Sequence, residues 1–119
     1  MAGLARCGSF GELVAEEPYP GLVRRTFSSA EATINSYTFD PGATFPLHRH
    51  PQEQITLVVE GVVEMTIAHY TTQLEEGAWS VVPGGVEHEI TAGPAGAQII
   101  AMIVPRRDSA DSYEFAELA

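Results

Sequence analysis

An all-β sandwich or barrel is the fold class that this 119-residue sequence predicts, and three observations predict it. Short runs rich in β-branched and aromatic residues recur along the chain. Glycine and proline punctuate them at the corners. No segment of convincing length has the 3.6-residue period of a helix, apart from a turn in the tail.

The elements follow in order. Residues 18–21 mark a turn before a strand at 22–27, and a second β-rich run at 32–39 stops at Asp40-Pro41-Gly42. Residues 55–59 are almost continuously apolar. Residues 62–68 alternate, with Val63, Met65 and Ile67 facing one way and Glu64 and Thr66 the other. Strands at 79–82 and 97–104 complete the set, separated by the Gly/Pro segments 83–85 and 93–96. Gly42, Gly61, Gly77 and Gly85 fall where turns call for positive φ.

Length and charge bound the function. One domain is expected, large enough to bury roughly two thirds of its unfolded surface. Sixteen acidic against six basic side chains give a formal charge of -10, which repels phosphate backbones and anionic headgroups, so neither nucleic acid nor a membrane is expected as a partner. Cys7 is the single cysteine, which rules out an internal disulfide framework. The first fifteen residues hold no apolar run of signal-peptide length, and no stretch approaches a membrane span; the expected location is the cytoplasm.

Chemistry concentrates in two stretches. His48 and His50 are two apart, and on a strand that spacing sends both imidazoles to one face, a bidentate grip for a transition metal. Gln54 shares their parity and Glu53 does not, which favours Gln54 as the next ligand. The turn expected at Pro51 weakens the parity, so Glu53 stays an alternative. His69, in an Ala-His-Tyr-Thr-Thr stretch, reads as a solvated hairpin residue.

Residues 42–61 read G-A-T-F-P-L-H-R-H-P-Q-E-Q-I-T-L-V-V-E-G, and residues 77–88 read G-A-W-S-V-V-P-G-G-V-E-H. These resemble the two signature motifs of the cupin family, with Gln54 in place of the acid of the first and Ala92 in place of the last asparagine of the second. The resemblance covers about residues 21–105 and implies a double-stranded β-helix, or jelly-roll, barrel, with residues 1–20 as an N-terminal arm and 106–119 as a C-terminal tail. The H-P-x-E-Q-I-T stretch is similar to small single-domain cupins with a His, His, Gln, His set, among them enzymes that ketonise unsaturated uronates and cyclases of aromatic polyketide pathways. By position the implied ligands are His48, His50, Gln54 and His88, holding one divalent transition metal ion (zinc, nickel, iron or manganese) per chain. The uronate enzymes also use an acid on the last strand and an arginine just beyond it. Here residues 100–103 are Ile-Ala-Met-Ile, so the acid is missing, while Arg107 could still meet a carboxylate.

Four neutral ligands would leave a divalent ion its full charge, which favours Lewis-acid work on an enolisable carbonyl compound: an isomerase, lyase or cyclase. An Fe(II) or Ni(II) dioxygenase and a non-catalytic cupin that binds a small molecule are the alternatives. Tyr37 is the best non-ligand candidate for chemistry, since its phenol could donate to an oxyanion. Tyr37, Phe39, Met65, Ile67 and Met102 are the candidate pocket walls, and Glu53 and Glu87 are expected to be solvated. Ile34, Val62 and Val82 make the outer strand faces too apolar for an isolated shell, and small cupins commonly pair there, so a homodimer is expected.

Overall fold

The computed structural model describes residues 5–107 and 114–115. It is built from antiparallel strands, and the one described helix is a single 3-10 turn, Phe10–Glu12. No helix among the described residues is long and apolar enough to cross a membrane.

In chain order the strands are β1 (Glu16–Tyr19), β2 (Leu22–Ser28), β3 (Thr33–Phe39), β4 (Thr44–Arg49), β5 (Glu53–Ile67), β6 (Tyr70–Leu74), β7 (Trp79–Val82), β8 (His88–Val104) and β9 (Glu114–Phe115). One path of pairing runs β1-β2-β3-β8-β4-β9, and β5 joins it by pairing with β6, β7 and β8. The two long strands form the spine. The first part of β8 pairs with β4 and the far end of β5, while its last part pairs with β3 and the near end of β5. This crossing from one side to the other closes the jelly-roll barrel.

Several elements differ from the sequence expectation. The runs at 55–59 and 62–68 are one strand, because Gly61 does not end it: the register shifts around Val58–Glu60 and Gly61–Val63, a bulge that bends β5. Gly61 adopts φ 78°, and a Cβ there would sit 2.3 Å from the Gly96 carbonyl oxygen, so only glycine fits this close crossing. Likewise 93–96 is a bend within β8 rather than a separator, with Gly96 at φ 79° beside the Phe39 carbonyl. Gly42, Gly77 and Gly85 also have the positive φ expected of them.

β1, β6 and β9 are additions to the expected set, and β4 is the strand expected around His48. Pro18 lies inside β1, which pairs on one side only with β2, so its missing N–H costs no ladder bond. The sheet thus begins at Glu16, inside the segment read as an arm. Arg25 fastens the preceding turn by donating from Nη1 to the carbonyls of Phe10, Gly11 and Leu13 at 3.1 to 3.2 Å. At the other end, β9 pairs with β4 and places Phe115 opposite His48 in register. The rest of the tail beyond Arg107 lies outside the described residues.

The core is the inward set of side chains from both halves: Leu22, Tyr37, Phe39, Phe45, Val58, Val63, Met65, Val82, Ile90 and Ile99 among others. Val63 and Met65 point inward as the alternation predicts, and Ile67 packs partly against them. Val82 corrects the expected outer face. It is fully buried, because in β7 the inward residues are Ser80 and Val82 and the outward ones are Trp79 and Val81.

Candidate metal centre

Four side chains converge at one end of the barrel. His48 comes from β4, His50 from the residue just after it, Gln54 from the start of β5 and His88 from the first residue of β8. His48 and His88 are register partners across the β4–β8 pair. The loop of the second motif locks onto the first: Gly85 N–H donates to the His50 carbonyl at 2.8 Å. Gly84 approaches so closely that a Cβ would lie 2.1 Å from the Pro51 carbonyl oxygen.

The parity question is resolved for Gln54. Its side chain is buried and faces the histidines, whereas Glu53 is exposed. His48, His50 and His88 are each at most 4% exposed, and their ligand atoms all lie within 4.8 Å of one another. His69 sits exposed in the turn between β5 and β6, apart from this cluster.

Each ring is aimed by a backbone carbonyl. Nδ1 lies 2.7 Å from the Pro46 oxygen in His48, 3.0 Å from the Gln52 oxygen in His50, and 2.9 Å from the Val86 oxygen in His88. A carbonyl only accepts, so Nδ1 carries the proton in all three rings. In a neutral ring Nε2 is then a bare lone pair. The rings are held neutral: burial is the main cause that lowers the His48 pKa to about 3, helped by His88, His50 and the Arg107 guanidinium and opposed by the Pro46 carbonyl. Burial likewise takes His88 down to about 4 and lowers His50.

Gln54 adds a fourth acceptor. Its Oε1 lies 3.1 Å from His50 Nε2 and 3.0 Å from His88 Nε2, while its Nε2 donates to Thr56 Oγ1 at 3.0 Å. Lone pairs from neutral rings and an amide oxygen therefore face one another in a buried place with no proton to share. A cation relieves that arrangement, so the donor set fits a divalent metal ion.

Next to the cluster is a cavity of about 10 Å³, room for roughly one water molecule. Its lining combines His48, His50 and Gln54 with Tyr37, Phe39, Phe45, apolar residues of β8 and Arg107. Tyr37 and Phe39 thus stand where the sequence expected pocket walls. Met65 and Met102 do not: Met65 is in the core against Ser80 Oγ, and Met102 lies half-buried on the opposite parity from the lining residues Ala101 and Ile103. Arg107, at the start of the segment read as a tail, is buried, and its backbone N–H donates to Thr33 Oγ1 at 2.9 Å.

Residues 35–103 match the cupin domain family, which takes in both motifs and all four converging side chains. The chain is a cupin. An uncharacterised protein of Streptomyces coelicolor is 33% identical over 57 residues, 48% of this chain and 54% of that protein, so the chain spans about half the length of this curated relative. Among solved structures, an RmlC-like cupin from Shewanella frigidimarina NCIMB 400 is 26% identical with a TM-score of 0.80, covering 91% of this cupin and 97% of that chain. KdgF from Halomonas sp. is 28% identical with a TM-score of 0.76, covering 86% and 97%.

Two kinds of site residue escape a reading of the sequence. The carbonyls of Pro46, Gln52 and Val86 aim the rings through local backbone geometry, which no residue type announces. Thr56 carried a usable signal, since it follows Gln54 by two on the same strand face.

Proposed function

We propose that this cupin holds one divalent transition metal ion through His48, His50, Gln54 and His88 and acts on an enolisable carbonyl compound, as an isomerase, lyase or cyclase does. The convergence of Nε2 lone pairs and the Gln54 oxygen, with every Nδ1 committed to a backbone carbonyl, carries this reading. Bound there, the ion would supply Lewis acidity toward a substrate carbonyl oxygen.

The chain's own residues do the rest. Arg107, facing the cavity, binds a carboxylate on the substrate and orients it. Phe45, Ile99, Ala101 and Ile103 exclude water from the reacting end. No carboxylate appears among the lining residues described, so Tyr37 Oη is the group that takes the proton from the carbon beside the carbonyl and returns one to it. The absence of an acid at 100–103 directs this chemistry away from the uronates themselves.

The test follows hydrogen–deuterium exchange by NMR. In D2O, protein loaded with zinc, nickel, iron or manganese should catalyse exchange at the carbon beside the carbonyl of a small oxo-acid, and His88→Ala should not. Equal exchange by both proteins would sink the proposal. A non-catalytic binding role is the second reading, supported by a lining that sets one cation, Arg107, among apolar side chains. Tight binding of a small carboxylate with no exchange and no oxygen uptake would favour it; oxygen uptake by the iron form would favour a dioxygenase.

The outer sheet face supports a homodimer. Phe27, Ile34, Met102, Ile55 and Val81 form one cross-strand row over β2, β3, β8, β5 and β7, and Ile100, Leu57 and Trp79 form part of the next. Trp79 is 66% exposed there, an apolar surface that a second copy would cover.

A further inference from the structure

Thr56 follows Gln54 by two residues on β5, so both side chains share the inward face. It is fully buried, opposite Ser80 of β7 and Ala101 of β8. Its Oγ1 receives the Gln54 Nε2–H at 3.0 Å, and the same amide turns Oε1 toward the Nε2 atoms of His50 and His88.

An amide has two unlike ends, and the oxygen is the end that ligates a cation. With Oε1 so used, the NH2 group needs an acceptor in a place closed to water, and leaving it without one is costly. Reversed, the amide would present NH2 to the imidazole lone pairs and keep a cation out. Coordination through oxygen also polarises the amide and strengthens the N–H···Oγ1 bond, so the hydroxyl matters more in the loaded site than in the empty one.

We propose that Thr56 is a positioning residue of the metal centre: its hydroxyl oxygen is the acceptor that the Gln54 NH2 group needs when Oε1 faces a cation among the imidazoles. This rests on the reading of His48, His50, Gln54 and His88 as metal ligands. Second-sphere partners of this kind set affinity by about 10- to 100-fold in metal sites generally.

Cobalt(II) titration of the full chain, followed by its visible absorption, tests the assignment. Thr56→Val should weaken cobalt binding by about tenfold or more and alter the spectrum, while Thr56→Ser, which keeps the oxygen, should stay close to the parent. Thr56→Ala removes the same acceptor without crowding and gives the same readout should the valine variant not fold. Unchanged affinity and spectrum in the folded valine or alanine variant, or a serine variant as weak as they are, would overturn the proposal. A role in packing alone would lower the metal-free melting temperature and leave cobalt affinity untouched, which also overturns it. Should the parent itself bind no cobalt, the metal reading fails first and takes this assignment with it.

Discussion

His88 Nε2 and Gln54 Oε1 lie 3.0 Å apart, and neither atom of the neutral pair carries a proton to place between them. In water such a contact would be broken by solvent. Inside the barrel the two atoms are held together by the strands that carry them, β8 and β5, and a cation shared between them makes the contact favourable.

A large thermal response to metal follows. Zinc, nickel or cobalt at about a hundred times Kd should stabilise the chain by about 2.7 kcal/mol through mass action, a rise in melting temperature of roughly 10 °C for a domain of this size. A chelator should reverse it. Scanning calorimetry showing no shift with any of these ions would refute the metal site.

Gln54→Glu tests the neutral donor set. Thr56 can donate to a carboxylate as readily as it accepts from an amide, so metal should be retained. The added negative charge offsets one unit of the ion's charge, and turnover of a carbonyl substrate should fall by about tenfold or more, which is about 1.4 kcal/mol in the barrier. If oxygen consumption instead rises in the iron form, the chain is an oxygenase.

The site was more legible in the sequence than the fold around it. A two-residue spacing sends His48 and His50 to one face because alternation is local, whereas Gln54 lies beyond the turn at Pro51 on β5, and only the structure decides between it and Glu53. Strand continuity is not local. Gly61 and 93–96 look like breaks to any reading of turn residues, yet each sits where β5 and β8 cross and neighbouring strands supply the pairing. Val82 was placed on the wrong face for a related reason: the one polar residue of four-residue β7, Ser80, points inward with Val82, and register with Gln54 and Thr56 decides that phase. The strand expected around His48 had no start, because Pro46 reads as a breaker, although the register shift at that point in β4 tolerates proline.

Acid should destabilise the metal-free protein in a defined window. The three site histidines titrate near 6.5 when unfolded, but burial lowers all of them when folded, with His88 at about 4 and His48 at about 3. Between those values the unfolded state binds more protons, so stability is present above about 6.5 and falls as pH drops toward 4. The slope has a ceiling of about 1.4 kcal/mol per pH unit for each histidine. Urea denaturation at several pH values would measure it, with His48→Asn expected to flatten the curve. A metal-free protein as stable at pH 5 as at pH 7 would show that these rings are not held neutral.

Assembly can be read from the chain's single tryptophan. Trp79 projects from β7 on the outer face, one row from Val81 and directly opposite Leu57. Because its neighbour Ser80 points inward, changing Trp79 alters the outer face without touching the cavity lining. Light scattering at micromolar concentration should give twice the 12.8 kDa chain mass, and dilution should shift the Trp79 emission to the red as water reaches the ring. Trp79→Glu should yield the monomer with metal binding retained, since a charge buried without a partner opposes association. A parent protein that is already 12.8 kDa at the higher concentration, with emission unmoved by dilution, would show that the face stays open to solvent.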